Sequence, residues 1–217
     1  MVQGPANQSN TLKALALCGV IAPILFTILV VIAGLFYQGY NHATYAISEL
    51  GGVTARYPLI QNANFFIFGI LTMAFSVGLH RGIGSGQGSK LGPVLFFVFG
   101  LITAVATPFL PLDPGGNFAT LAGTLHNVTW LGSFLFAVVG IFVTSRRLRQ
   151  DPGWQSYRNF SVVSSVVALV SLLAWIGIAK GAGIGAANGV LQRVFVGVIL
   201  LWIEVMALHL FKVSDYS

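Results

Sequence analysis

Four residues in this chain, Ser48, Glu49, Asp113 and His126, carry reactive side chains and stand beside or inside strongly apolar stretches. In hydrocarbon an ionisable side chain at a helix centre costs on the order of 3 kcal/mol, so each such group needs a partner, a cavity or a function. Two kinds of chemistry suit these residue types. Glu49, Asp113 and His126 could hold a divalent metal that lowers the pKa of a bound water, one coordination position being left open. Alternatively, His126 could act as general base toward Ser48, with Asp113 orienting the imidazole. In either case Arg193 or Arg56 would clamp a phosphate or carboxylate, because a guanidinium donates in a bidentate fork. Asn127, Gln192 and Trp130 complete the expected pocket, Trp130 standing one helical turn after His126 on the same face. The chain has no HExxH, no GxSxG and no closely spaced histidine pair, so spacing alone selects neither mechanism.

Chemistry at these positions needs a scaffold, and composition identifies its solvent. Of 217 residues, 56% are apolar and only 7% charged, with a mean hydropathy of +0.85. A soluble domain carries about 25% charged residues, so this chain has too few to cover a water-facing surface; it reads as an integral membrane protein. A crossing helix needs about 20 apolar residues to span roughly 30 Å of hydrocarbon. Six windows meet that length: residues 15–36, 61–79, 92–110, 121–144, 160–179 and 190–211. The expected fold is therefore all-α, one domain over residues 1–217 built as a bundle of six transmembrane helices. The first window is longer than the apolar part of a secretory signal and no small-x-small cleavage site follows it, so it reads as a retained span. The lone Cys18 excludes an intrachain disulfide and a cysteine-only zinc site.

With six spans both termini share a side, and basic residues decide which. Lys13, Arg81, Lys90, Arg146, Arg147, Arg149, Arg158 and Lys212 fall with the termini; Arg56, Lys180 and Arg193 fall opposite. This bias places both termini in the cytoplasm of a multi-pass cell-membrane protein. It also explains the formal charge of +6 by topology and attraction to anionic lipid, without nucleic acid. The run SRRLRQ at 145–150 reads as a stop signal at a helix end, and GIGSGQGSK at 82–90 as a flexible connector. Neither that loop nor GAGIGAANG at 181–189 has the strand–loop–helix context of a phosphate cradle. The outer side holds His42, Ser48, Glu49, Arg56, Asp113, His126, Lys180, Gln192 and Arg193, and four segments bring polar groups to one membrane depth: the first loop with Ser48 and Glu49, the third loop with Asp113, the fourth helix with His126 and the sixth with Arg193. His126 lies about 8 Å inside the fourth span at helical rise. A purely structural reading pairs Arg193 with Glu49 or Asp113 and hydrogen-bonds His126 to a carbonyl. Glu204, about 16 Å further along the sixth helix than Arg193, belongs to the cytoplasmic half, with His80, Arg81, His209 or Lys212 as expected partners.

A set of motifs distributed along the chain carries a resemblance: ISELG at 47–51, QNANFFIFG from 61, PLDP at 111–114, LHN at 125–127, SRRLR at 145–149 and LQRVFVGVILLW at 191–202. Together they resemble the family called domain of unknown function 998. That resemblance implies a prokaryotic six-helix membrane protein and supports singling out Ser48, Glu49, Asp113, His126 and Arg193; it supplies no reaction. The ISELG segment is also distantly similar to eukaryotic six-span families of GPI-lipid remodelling and autophagy modulation, which points to lipid as ligand.

The expected function is recognition of a membrane lipid, extending to its hydrolysis or remodelling, at a polar pocket in the outer leaflet. The competing expectations are a small proton-coupled transporter or sensor, in which Glu204 would form a proton path, and a structural subunit without catalysis.

Overall fold

The computed structural model of the protein describes residues 5–181 and 187–214. Most of the GAGIGAANG segment, and the side chain of Lys180, lie outside what is described. The described residues form six α-helices: α1 (Pro5–Leu35), α2 (Pro58–Gly82), α3 (Leu91–Val105), α4 (Leu121–Leu148), α5 (Tyr157–Gly181) and α6 (Asn188–Val213). Each packs on the next, and α6 returns to α1, so the helices close into a ring; α2 also touches α6 across its middle. The Ser9 hydroxyl donates to the Ser214 carbonyl at 2.7 Å, which brings the start of α1 and the finish of α6 to one end, here the terminal end. The opposite, loop end carries the connections α1–α2 and α3–α4 and the start of α6.

Local sequence accounts for several of these boundaries. α2 opens on Pro58, whose missing N–H costs nothing in a first turn. At α4 the Thr120 hydroxyl accepts from the Gly123 amide at 3.0 Å, an N-cap. Basic residues occupy the last turns of α2, α4 and α6, where they offset the negative end of the helix dipole. α2 and α3 cross closely at Gly69 and Gly100: a Cβ on Gly69 would collide with the Gly100 carbonyl. Small residues allow this backbone approach where lipid offers no hydrophobic drive between helices. The centre is aromatic, with Phe75, Phe96 and Trp202 fully buried and the Phe96 and Trp202 rings 5.0 Å apart.

Five helices are long and apolar enough to cross a membrane: Ser9–Leu35, Pro58–Gly82, Leu121–Leu148, Tyr157–Gly177 and Asn188–Val213. α3 is the exception. Residues 92–110 were expected as one span, but the helix stops at Val105 after 15 residues, about 22 Å at helical rise. Pro108 lacks an amide and disfavours helical backbone at the residue before it. Residues 106–110 instead turn on the bonds Thr107 N–H to Ile102 O and Leu110 N–H to Ala106 O.

At the terminal end, SRRLR does more than mark a helix stop. Arg147 is buried and donates to the carbonyls of His80 at 2.9 Å, Ile83 at 2.5 Å and Ser89 at 3.2 Å, and to His80 Nδ1 at 2.8 Å. One guanidinium thus caps α2 and ties down the glycine-rich connector, with the Asp151 carboxylate accepting from the Gly84 amide at 2.6 Å.

Candidate functional site

The first loop is fastened to the start of α6. Arg193 donates through Nη1 to the carbonyls of Tyr45 at 2.9 Å and Gly189 at 3.0 Å. Through Nη2 it reaches the Tyr40 hydroxyl at 2.6 Å and His42 Nδ1 at 3.0 Å. None of these partners is a carboxylate, so the expected pairing of Arg193 with Glu49 or Asp113 is replaced by a clamp on one loop carbonyl, one carbonyl of α6, a phenol hydroxyl and an imidazole. Gln192 extends the clamp: its Oε1 accepts from the Ile47 amide at 2.5 Å. Ile47 opens a short 3-10 turn, Ile47–Gly51, which carries Ser48 and Glu49. Glu49 Oε1 accepts from the Ala46 amide at 2.8 Å. Burial raises the Glu49 carboxyl above the usual range, and that amide opposes the rise.

The third loop places His126. Because the chain turns after α3 instead of continuing as helix, the Leu110 carbonyl comes to 2.6 Å from His126 Nδ1. A carbonyl only accepts, so Nδ1 carries a proton, and in the neutral ring Nε2 carries the lone pair. The ring is buried and Nε2 has no hydrogen-bond partner among the described residues. Asp113, expected to orient this imidazole, is engaged elsewhere: its oxygens accept from the Thr120 amide at 2.8 Å and the Thr120 hydroxyl at 2.9 Å. The Thr120 amide foremost holds its carboxyl below the usual range. Gly123 leaves room for this carboxylate, since a Cβ there would collide with it. Asp113 thus closes the third loop onto α4. Asn127 donates to the Gly123 carbonyl at 2.9 Å and accepts from the Trp130 indole at 3.2 Å. The two loops join where the Val53 amide donates to the Leu112 carbonyl at 3.2 Å.

Between these loops and the helices lie two cavities. A vestibule of about 450 Å³ for water-molecule centres opens at the loop end among Thr44, Ser48, Glu49, Asn127, Trp130 and Asn188. Beneath it, a narrow chamber of about 60 Å³ is walled mainly by Phe26, Phe65, Phe68, Phe99 and Phe134, with His126, Ser133 and Gln192 among its polar groups. Ser48 and Trp130 line both, so they form the step between an upper space that carries Glu49 and Asn127 and a more apolar lower one. The Trp130 ring rests against Trp175 at 4.7 Å, and Trp175 donates to the Asn188 side chain at 2.6 Å, which fixes one wall.

Ser48, Glu49, His126, Asn127, Trp130 and Gln192 therefore line two adjacent cavities that share Ser48 and Trp130, with Arg193 fastening the first loop to α6. Arg56 does not join them: it is exposed and lies over the Tyr57 ring at 5.3 Å. Among the described residues no three His, Cys, Asp or Glu side chains gather to hold a metal ion. Glu49 lines the vestibule, His126 the chamber, and Asp113 is bound to Thr120, so this donor set does not fit the shared metal. Glu204 Oε2 is buried without a hydrogen-bond partner among the described residues. Two of its expected partners are otherwise occupied, His80 by Arg147 and His209 by the Gly153 carbonyl at 2.8 Å. The carbonyl expected to bond His126 is that of Leu110, while sequence reasoning missed Tyr40 and Ser133. Only Ser133 left a readable signal, two helical turns after His126 on the same face.

No curated protein and no solved structure matches the chain. A family model does, over residues 20–209, which include all the cavity-lining residues and both fastened loops. The chain belongs to that family, described as protein of unknown function (DUF998).

Proposed function

We propose that this membrane protein recognises a membrane lipid, holding its polar group in the vestibule and an apolar portion in the chamber. The observation that carries the reading is the step at Ser48 and Trp130, where a space with Glu49 and Asn127 in its wall meets a phenylalanine-walled one. An amphiphile matches both halves; a small polar solute would leave the aromatic wall unused. In this reading the loop end faces outward and both termini lie in the cytoplasm, as the basic residues favour. α3 with residues 106–110 makes the sixth crossing, consistent with both ends of the described chain lying together.

A second reading, acyl transfer, is favoured by one feature: His126 presents a lone pair on Nε2 in a cavity that Ser48 also lines. Nε2 would take the Ser48 proton as the hydroxyl oxygen attacks an ester carbonyl. It would return that proton to the departing alcohol, and water would then release the acyl group by the same route. A backbone carbonyl on Nδ1 supports the imidazolium less than a buried carboxylate would, so binding comes first in the proposal. The test is native mass spectrometry of protein extracted in mild detergent. Wild-type protein should carry lipid that Ser133→Leu, which projects into the chamber, reduces at least several-fold. Equal lipid on both would refute the chamber as the binding site. Ester hydrolysis lost in both Ser48→Ala and His126→Gln, with lipid still bound, would add the catalytic role.

A further inference from the structure

A third cavity lies on the side of the ring. Between α1 and α6 a groove of about 230 Å³ for water-molecule centres is lined by Thr27, Val30, Val31, Gly197 and Leu200, with His42 and Arg193 at its loop end. Phe26, Ile47, Val196 and Leu200 line both this groove and the inner chamber, so one layer of side chains separates them. Thr27, Val31 and Gly197 are exposed, and both flanking helices are apolar spans, so the groove opens on the face that meets hydrocarbon. Three observations bear on its occupant.

The lip of the groove is electropositive. All four Arg193 hydrogen bonds go to neutral groups, which leaves its charge without a carboxylate against it. His42 adds a donor. A guanidinium only donates, so His42 Nδ1 must accept from it and the ring proton sits on Nε2. Arg193 lies about 8 Å past the start of α6 at helical rise, the depth of a headgroup–acyl boundary. Finally, a Cβ built on Gly197 meets nothing within 4 Å. The absent side chain is therefore not required by helix packing, and it leaves the groove open.

We infer that the α1–α6 groove is a lateral binding site for an anionic glycerophospholipid, its phosphate at Arg193 and His42 and one acyl chain along Val31 and Gly197 toward Leu200. This rests on the lipid reading above and adds the headgroup charge and the side of the ring by which lipid reaches the chamber. The chamber's wall at Phe26, Ile47 and Val196 is then the gate that an acyl chain passes.

The experiment uses the full chain in nanodiscs containing a phosphatidylglycerol with a photoactivatable acyl chain, or the matching phosphatidylcholine at equal fraction. Crosslinked residues are mapped by mass spectrometry. Labelling should fall on residues 27–31 and 197–200 and favour phosphatidylglycerol about fivefold, the effect of one basic residue at a membrane surface. Gly197→Trp should remove most groove labelling while the melting temperature stays at the wild-type value; Gly197→Leu serves if the larger residue disturbs folding. Groove labelling unchanged in a folded Gly197 variant overturns the site, and equal labelling by both lipids overturns the headgroup assignment. If chamber residues such as Ser133 are labelled while the groove is not, the lateral site fails and the lipid reading stands. Labelling of neither removes both.

Discussion

Gln192→Leu isolates the bond that suspends the Ser48–Glu49 turn. Leucine is close to glutamine in volume and suits the apolar chamber, so packing changes little. The Ile47 amide, however, loses its acceptor, and both residues are at most 5% exposed. A buried N–H left without a partner costs about 1–3 kcal/mol. In a chain of this size each kcal/mol shifts the melting temperature by about 2–4 °C, so the variant should melt roughly 2–12 °C lower. The larger effect should be on function, because the turn carrying Ser48 and Glu49 is then free to leave the cavity step. Lipid retained by Gln192→Leu should fall by more than the fraction of protein that unfolds. Gln192→Glu provides the control: protonated at low pH, its carbonyl oxygen can still accept from Ile47, so stability should recover as pH is lowered. Wild-type melting together with wild-type lipid content in Gln192→Leu would refute the claim that this bond positions the site.

Gly123→Ala should destabilise by about 1–3 kcal/mol through collision with the Asp113 carboxylate, outweighing the roughly 1 kcal/mol that alanine gains as a helix former; a rise in melting temperature would contradict the loop closure. Asp113, with its pKa lowered from 3.8 by the Thr120 amide, contributes stability that is present above pH 3.8 and lost as pH falls through the folded value. Asp113→Asn should remove that acid-side loss in a melting series. Glu49 has the opposite sign: its pKa is raised from 4.5 by burial, so its contribution is full below pH 4.5 and lost as pH rises through the folded value. Glu49→Gln should flatten this decline, and an unchanged pH profile would show that the carboxyl is not held in the partly buried position described.

Burial of His126 was legible because charge is scarce in this chain: an imidazole inside an apolar window must be satisfied or used. That a carbonyl would bond it was legible, but which one was not, since a backbone acceptor such as that of Leu110 has no residue signature. The same limit hid two of the partners of Arg193, the carbonyls of Tyr45 and Gly189; the other two, the Tyr40 hydroxyl and the His42 ring, are neutral side chains of the first loop. The end of the third helix was not legible because PFLPL counts as apolar in a hydropathy window, whereas its prolines end the helix. Asp113 and His126 share a region, and sequence alone could not show that the local pull of Thr120, at the start of α4, claims the carboxylate first. Arg147 read as a topology signal, and its burial depends on a ring closure that no single segment encodes.

The most direct measurement is an experimental structure of the protein in a native-like bilayer. Elongated density running from the vestibule past Ser48 and Trp130 to the side of His126 is the predicted result. Lipid confined to the outer belt, with side chains sealing the chamber from the vestibule, would contradict it.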